Sequence, residues 1–163
     1  MSYPAYTYIH MQQREANPLL KDIFRIVARN GPVMREIRNT PYRKSIEVEK
    51  VLAEELGVLG FLHSVTNKKV ENLFRAGVNF EVDFFHPDLQ IAIEIEKGEV
   101  NNVWKNVIKF AESAKIRHGL LMVPLIRHEG TGKESDFYQN TLKKLGNMER
   151  IYSLINSLAI IGY

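Results

Sequence analysis

Three acidic residues, Asp83, Glu94 and Glu96, stand in the segment EVDFFHPDLQIAIEIEK (residues 81–97), each interleaved with large apolar side chains. Such alternation places acids on one face of a β-hairpin and apolar groups on the other. Carboxylates gathered in this way are what metal-dependent phosphodiester chemistry requires: hard oxygen donors for a divalent cation, and a further acid for the attacking water. The alternative is a solvated sheet face whose acids splay into water or pair with lysines.

The pattern also constrains how the strands pair. Val82 and Phe84 alternate with Glu81 and Asp83, while Ile91, Ile93 and Ile95 alternate with Ala92, Glu94 and Glu96. A slip of one residue would set isoleucines against carboxylates. With His86-Pro87-Asp88-Leu89 as the turn, Phe85 faces Gln90, Glu81 faces Glu94, and Asp83 faces Ala92. Asp83 and Glu94 then become diagonal neighbours roughly 7 Å apart, close enough for one cation to bridge. Two carboxylates about 4 Å apart repel by roughly 4 kcal/mol at an effective dielectric near 20, so something must offset them.

The elements that hold these residues follow from periodicity. Asn17 caps a first helix with Pro18 at its first position, its stripe Leu20, Ile23, Phe24 and Val27 ending at Gly31-Pro32. A polar, basic segment follows (Arg35, Arg38, Asn39, Tyr42, Arg43, Lys44), then a helix from about Ser45 to Leu56 closed by Gly57. Residues 61–76 are mixed, with a short helix suggested by Val70, Leu73 and Phe74. Beyond the hairpin, Asn101 or Asn102 caps a helix to about Ala114, with Val103, Val107 and Phe110 inward and Lys105, Lys109 and Glu112 on an outer stripe. His118 to Ile126 reads as a buried strand and Phe137 to Leu145 as a helix. Arg150 to Tyr163 is apolar and fits either.

The 163 residues, 45% hydrophobic and 25% charged, suit a single domain, with residues 1–16 as an N-terminal arm. With no cysteine, disulfides, cysteine-zinc sites and a cysteine nucleophile are excluded. No apolar run reaches the ~20 residues of a membrane span and the N-terminus lacks signal-peptide regions, so a cytoplasmic protein is expected. A net charge of +3 permits nucleic-acid binding. Gly130-Thr131-Gly132-Lys133 is no nucleotide-binding loop, because Arg127 and Glu134 stand where glycine and serine or threonine are needed, so no nucleotide cofactor is expected. His128-Glu129 lacks the second histidine of a zincin. The segment Arg127 to Lys133 reads as a mobile surface loop.

Asp83 followed by Glu94-x-Glu96 on the next hydrophobic strand resembles the signature of the PD-(D/E)xK nuclease superfamily, and within it the BamHI/BglII-type restriction endonuclease branch. There the lysine of the E-x-K triplet gives way to glutamate or glutamine. The resemblance spans about residues 45–126 and departs from the pattern at Val82, where a proline is usual. It implies an α/β fold with a restriction-endonuclease-like core, a central mixed β-sheet flanked by helices, and a type II endodeoxyribonuclease using Mg2+ with Mn2+ as substitute. It further implies double-stranded DNA as partner, a homodimer, Asp83 and Glu94 as metal ligands, Glu96 in the place of lysine, and Glu49 or Glu55 from the preceding helix as a further acid. Lys97 falls one place too late and points away. Arg38, Arg43, Lys44, Asn102, Lys105, Lys109, Arg127 and Lys133 are candidate DNA contacts. A junction resolvase-like nuclease and an inactive DNA-binding protein are the alternatives.

Overall fold

Residues with uninterrupted apolar character form the centre of a six-stranded mixed sheet. In the computed structural model, residues 4–98, 100–128 and 133–163 are described. The strands are β1 (Ala5–Met11), β2 (Leu62–Val65), β3 (Val82–His86), β4 (Ile91–Ile95), β5 (His118–Val123) and β8 (Ser157–Gly162), with β6 (Ile126–His128) and β7 (Glu134–Asp136) in a separate two-stranded ribbon. The large sheet has the order β1-β8-β5-β4-β3-β2. β4, β5 and β8 run parallel, and β1, β3 and β2 pair antiparallel at the flanks. Every residue of β4, β5 and β8 is buried, as expected of strands covered on both faces.

Four helices supply the cover: α1 (Leu20–Asn39), α2 (Ser45–Val58), α3 (Val100–Glu112) and α4 (Phe137–Gly146). Ile23, Val27 and Met34 of α1 and Leu52 and Leu56 of α2 pack on Phe84, Ile93, Leu120 and Ile161. On the other face Val107 and Phe110 of α3 and Tyr138 and Leu145 of α4 pack on Phe85, Ala92, Leu121 and Ile160. Among the described residues, no helix is long and apolar enough to cross a membrane.

Several sequence expectations are corrected. Helix α1 does not stop at Gly31-Pro32 but continues to Asn39, because Gly31, Met34 and Ile37 prolong its buried face while Pro32 faces solvent. Part of the expected basic loop, Arg35 to Asn39, is therefore helical. Leu62–Val65 is a strand, the suggested helix near Val70 is absent from the described structure, and Ser157–Gly162 settles as a central strand. Residues 5–11, within the stretch read as an arm, form β1 along β8. Arg127 and His128 belong to β6 rather than to a loop, and residues 129–132 of that expected loop lie outside the described residues.

The hairpin register is shifted by two residues from expectation: Phe84 pairs with Ile93, Phe85 with Ala92 and His86 with Ile91. Gln90 belongs to the turn, since its φ of 55° is left-handed and its carbonyl accepts the Arg117 and His118 amides at 2.9 and 3.1 Å. His86 Nδ1 also accepts the Leu89 amide at 3.2 Å, closing the turn from the strand side. The shift preserves the pairing of like faces. Continued by one residue, it sets Asp83 directly opposite Glu94 instead of diagonal to it.

Gly119 of β5 fixes how closely α3 approaches the sheet. A Cβ there would lie 2.5 Å from the Phe110 ring. Gly119→Ala is therefore expected to cost about 1–3 kcal/mol through overpacking. Urea denaturation checks this, and an unchanged midpoint would show that α3 shifts freely.

Candidate active site

Alternation along β3 and β4 sends Asp83, Glu94 and Glu96 toward the α3 side, where they help line a recess of about 260 Å3 together with Ser45, Asn102, Lys105, Asn106 and Lys109. The recess is polar although it is sunk into the protein: Glu94 and Glu96 are only 3% and 6% exposed. The Ile95 amide donates to Asp83 Oδ2 at 2.7 Å. Lys109 Nζ donates to both oxygens of Glu94, at 3.1 and 3.0 Å. Glu96 is fixed through its backbone, its amide donating to the Met122 carbonyl at 2.8 Å and its carbonyl accepting the Tyr163 hydroxyl at 3.0 Å. Its Oε1 accepts the Lys97 amide at 2.9 Å.

Burial and mutual repulsion act together on the two facing acids. Desolvation, then the nearby Glu49 charge, pushes the Asp83 carboxyl up to about 7 against the opposing pull of the Ile95 amide and Lys109. Desolvation and the Asp83 charge raise Glu94 well above the usual carboxylate range, with Lys109 opposing. A site that strains to ionise its acids favours a cation entering it.

The donor set fits magnesium. It consists of oxygen atoms from two adjacent carboxylates, and Mg2+ is held through one or two carboxylates while water and substrate phosphate complete its octahedron. Among the described residues, no group of three or more His, Cys, Asp and Glu side chains is arranged to hold a metal ion.

The whole chain, residues 1–163, matches the family described as "Putative halobacteria restriction endonuclease". The chain belongs to that family. No curated protein and no solved structure matches it. A restriction endonuclease family acts on DNA, so the positions of the remaining candidates can be weighed against a phosphodiester substrate.

Of the two helix glutamates, α2 brings one to the site. Glu49 is 5% exposed and shares a hydrogen bond with His63 Nε2 at 2.9 Å, close enough to Asp83 to raise its pKa. Glu55 lies elsewhere, bonded to Asn30 at 2.7 Å and paired with Arg29 on α1. Lys109, expected on an outer stripe, instead turns into the recess and donates to both Glu94 oxygens. Asn101 and Asn102 lie inside the first turn of α3 rather than capping it, and Asn102 lines the recess. Lys105 lines it too, with its side chain exposed.

Lys97 points to the opposite side of the strand, where its ammonium binds the carbonyls of Arg43 and, at 3.4 Å, Thr40. There Arg38, Lys97 and Arg127 border a second recess of about 360 Å3. Arg38 is anchored by donating to the Tyr163 carbonyl at 3.0 Å. Arg43 is paired with Glu47 at 2.5 Å, Lys44 precedes α2, and Lys133 is exposed ahead of β7. The sequence reading missed Ser45, His63 and Asn106. Asn106 had a usable signal: with Asn102, Lys105 and Lys109 it forms a polar stripe at helical spacing.

Proposed function

We propose that this protein is a magnesium-dependent endodeoxyribonuclease of type II restriction character, built on the PD-(D/E)xK plan with manganese as a workable substitute. The observation that carries the reading is the pair Asp83 and Glu94, held face to face in a recess that raises both pKa values. Magnesium, when bound by these two carboxylates, supplies Lewis acidity and neutralises charge on the phosphoryl group. Glu96, beside them, orients the attacking water and takes its proton. Lys109 balances the charge of Glu94 and offers an ammonium to a phosphate entering the recess. Glu49 and His63 set the field behind Asp83. Asn102 and Lys105 at the recess, with Arg38, Arg127 and Lys133 farther out, contact the DNA backbone.

Cutting both strands of a duplex is served by two-fold symmetry, so a homodimer is expected; sedimentation of the protein with and without duplex DNA measures it. Incubation with unmethylated genomic DNA and Mg2+ tests the function. Discrete fragments support restriction, a smear would mark a nonspecific or structure-selective nuclease, and intact DNA would overturn the reading.

The roles of Glu96 and Lys97 separate cleanly. Lys97→Ala is expected to retain most activity, since its ammonium serves the α1–α2 connection. Glu96→Ala should lose on the order of 10²-fold or more, whereas Glu96→Lys, which keeps a group able to position water, should retain measurable cleavage. Single-turnover rates of the three variants decide. A dead Lys97→Ala beside an active Glu96→Ala would reverse the assignment.

A further inference from the structure

A second cavity, about 160 Å3, lies between α3 and α4 and is separate from the acidic recess. Its lining combines the aromatic side chains Trp104 and Phe137, the Asn140 amide, and two cations, Arg127 and Lys144; among the described residues no carboxylate lines it. Phe137 is buried at 3% exposure, and Trp104 is partly buried against the core cluster of that sheet face. The apolar parts therefore form an interior wall, while Asn140 and Lys144 stand exposed at its edge. The proposed hydrolysis does not use this cavity.

We propose that the slot receives one unstacked nucleobase of the DNA, with the attached phosphate on Arg127 or Lys144. The inference rests on the nuclease reading in taking DNA as the ligand. Its size is well below the ~300 Å3 of sites for drug-sized ligands, which suits one flat ring system. Aromatic walls stack on any base, an amide can read a base edge through paired donor and acceptor, and cations hold the phosphate. An acidic peptide would satisfy the cations but leave the aromatic walls without a purpose. Placement on the same helix as the acidic recess favours DNA as well. The same helix α3 carries Trp104 on one side and Asn102, Lys105 and Lys109 on the other. Arg127 packs against Gly98, just beyond Glu96, with its Cδ 3.5 Å from where a Cβ of Gly98 would stand. Such a slot is a compact means of distinguishing one base.

Trp104 is the sole tryptophan, so the slot carries its own fluorophore. The test is a titration of the full chain, without metal, with a short single-stranded oligodeoxynucleotide of mixed sequence and with an abasic strand of equal length. The expected result is saturable quenching by the base-bearing strand, with little change from the abasic one. Asn140→Ala at the exposed edge and Arg127→Ala at a half-buried position should weaken the binding read by quenching at least about fivefold, a discrimination ordinary for a lost hydrogen-bonding or charged partner. No quenching, an equal response to the abasic strand, quenching produced instead by an acidic peptide alone, or unchanged affinity in both slot variants would overturn the proposal. Because the readout needs neither metal nor cleavage, quenching by a protein that never cuts DNA would sink the nuclease reading and leave the slot standing.

Discussion

Asp83→Ala and Glu94→Ala are each expected to abolish DNA cleavage, by on the order of 10³-fold or more, while DNA binding is retained or tightened. The two effects have one origin. In the proposed mechanism each carboxylate would help hold the cation that the reaction needs and, once ionised without a cation, would place negative charge in the recess that must receive a phosphate. Removing it takes away both the ligand and the repulsion. Glu94→Ala carries an additional consequence: Lys109, which donates to both Glu94 oxygens, is left in the recess without that partner. Its ammonium then becomes available to phosphate, so the gain in binding should be larger for Glu94→Ala than for Asp83→Ala. Single-turnover cleavage in Mg2+ and filter binding at pH 8 without divalent cations measure the two properties separately. Near wild-type turnover in either variant would refute the assignment of the site.

The second large effect concerns stability. Without divalent cations, the protein is expected to become less stable as pH rises from about 4 toward 8. Asp83 titrates at 3.8 when unperturbed and at about 7 in the fold, so the folded protein holds a proton that the unfolded chain has released. Stability from this group is complete below pH 3.8 and is lost as pH climbs through about 7. Glu94, also raised, extends the loss to higher pH. The expected fall in Tm is on the order of 10 °C, since each tenfold difference in proton affinity between folded and unfolded chain is worth about 1.4 kcal/mol, and each kcal/mol moves Tm by about 2–4 °C at this chain length. On the proposed metal reading magnesium would bind the ionised acids, so its stabilising effect should grow with pH and flatten the slope. Thermal scans across this range, with and without Mg2+, provide the measurement. Parallel slopes in the two conditions, or an Asp83→Asn variant that melts with the wild-type pH dependence, would contradict the arrangement.

Much of the site was legible because it is local. Period-two alternation named Asp83, Glu94 and Glu96 and correctly kept like faces together, since a one-residue slip would have buried charge against isoleucine. The exact register was not legible, because it depends on Gln90 adopting a left-handed backbone and on its carbonyl capping β5, neither of which has a sequence signature. Lys109 shows a different limit. Amphipathicity separated its stripe from Val103, Val107 and Phe110, yet could not tell that this polar stripe borders an acidic recess instead of solvent. Glu49 and Glu55 were indistinguishable on the helix; only the packing of α2 against β2 and α1 sends one toward Asp83 and the other toward Arg29. The continuation of α1 past Pro32 was hidden for a similar reason, as contacts made by Met34 and Ile37 outweigh the local break.

The anchoring of Lys97 has a mechanical consequence. Glu96 and Lys97 are consecutive, yet the first lines the acidic recess and the second grips the Thr40 and Arg43 carbonyls between α1 and α2. The strand end thus joins the acidic recess to the α1–α2 connection through a single peptide. In the proposed nuclease, a ligand that draws Arg43 would pull on one side of this peptide and shift the Glu96 carboxylate on the other, making the rate of water activation sensitive to what the basic side of the protein has grasped.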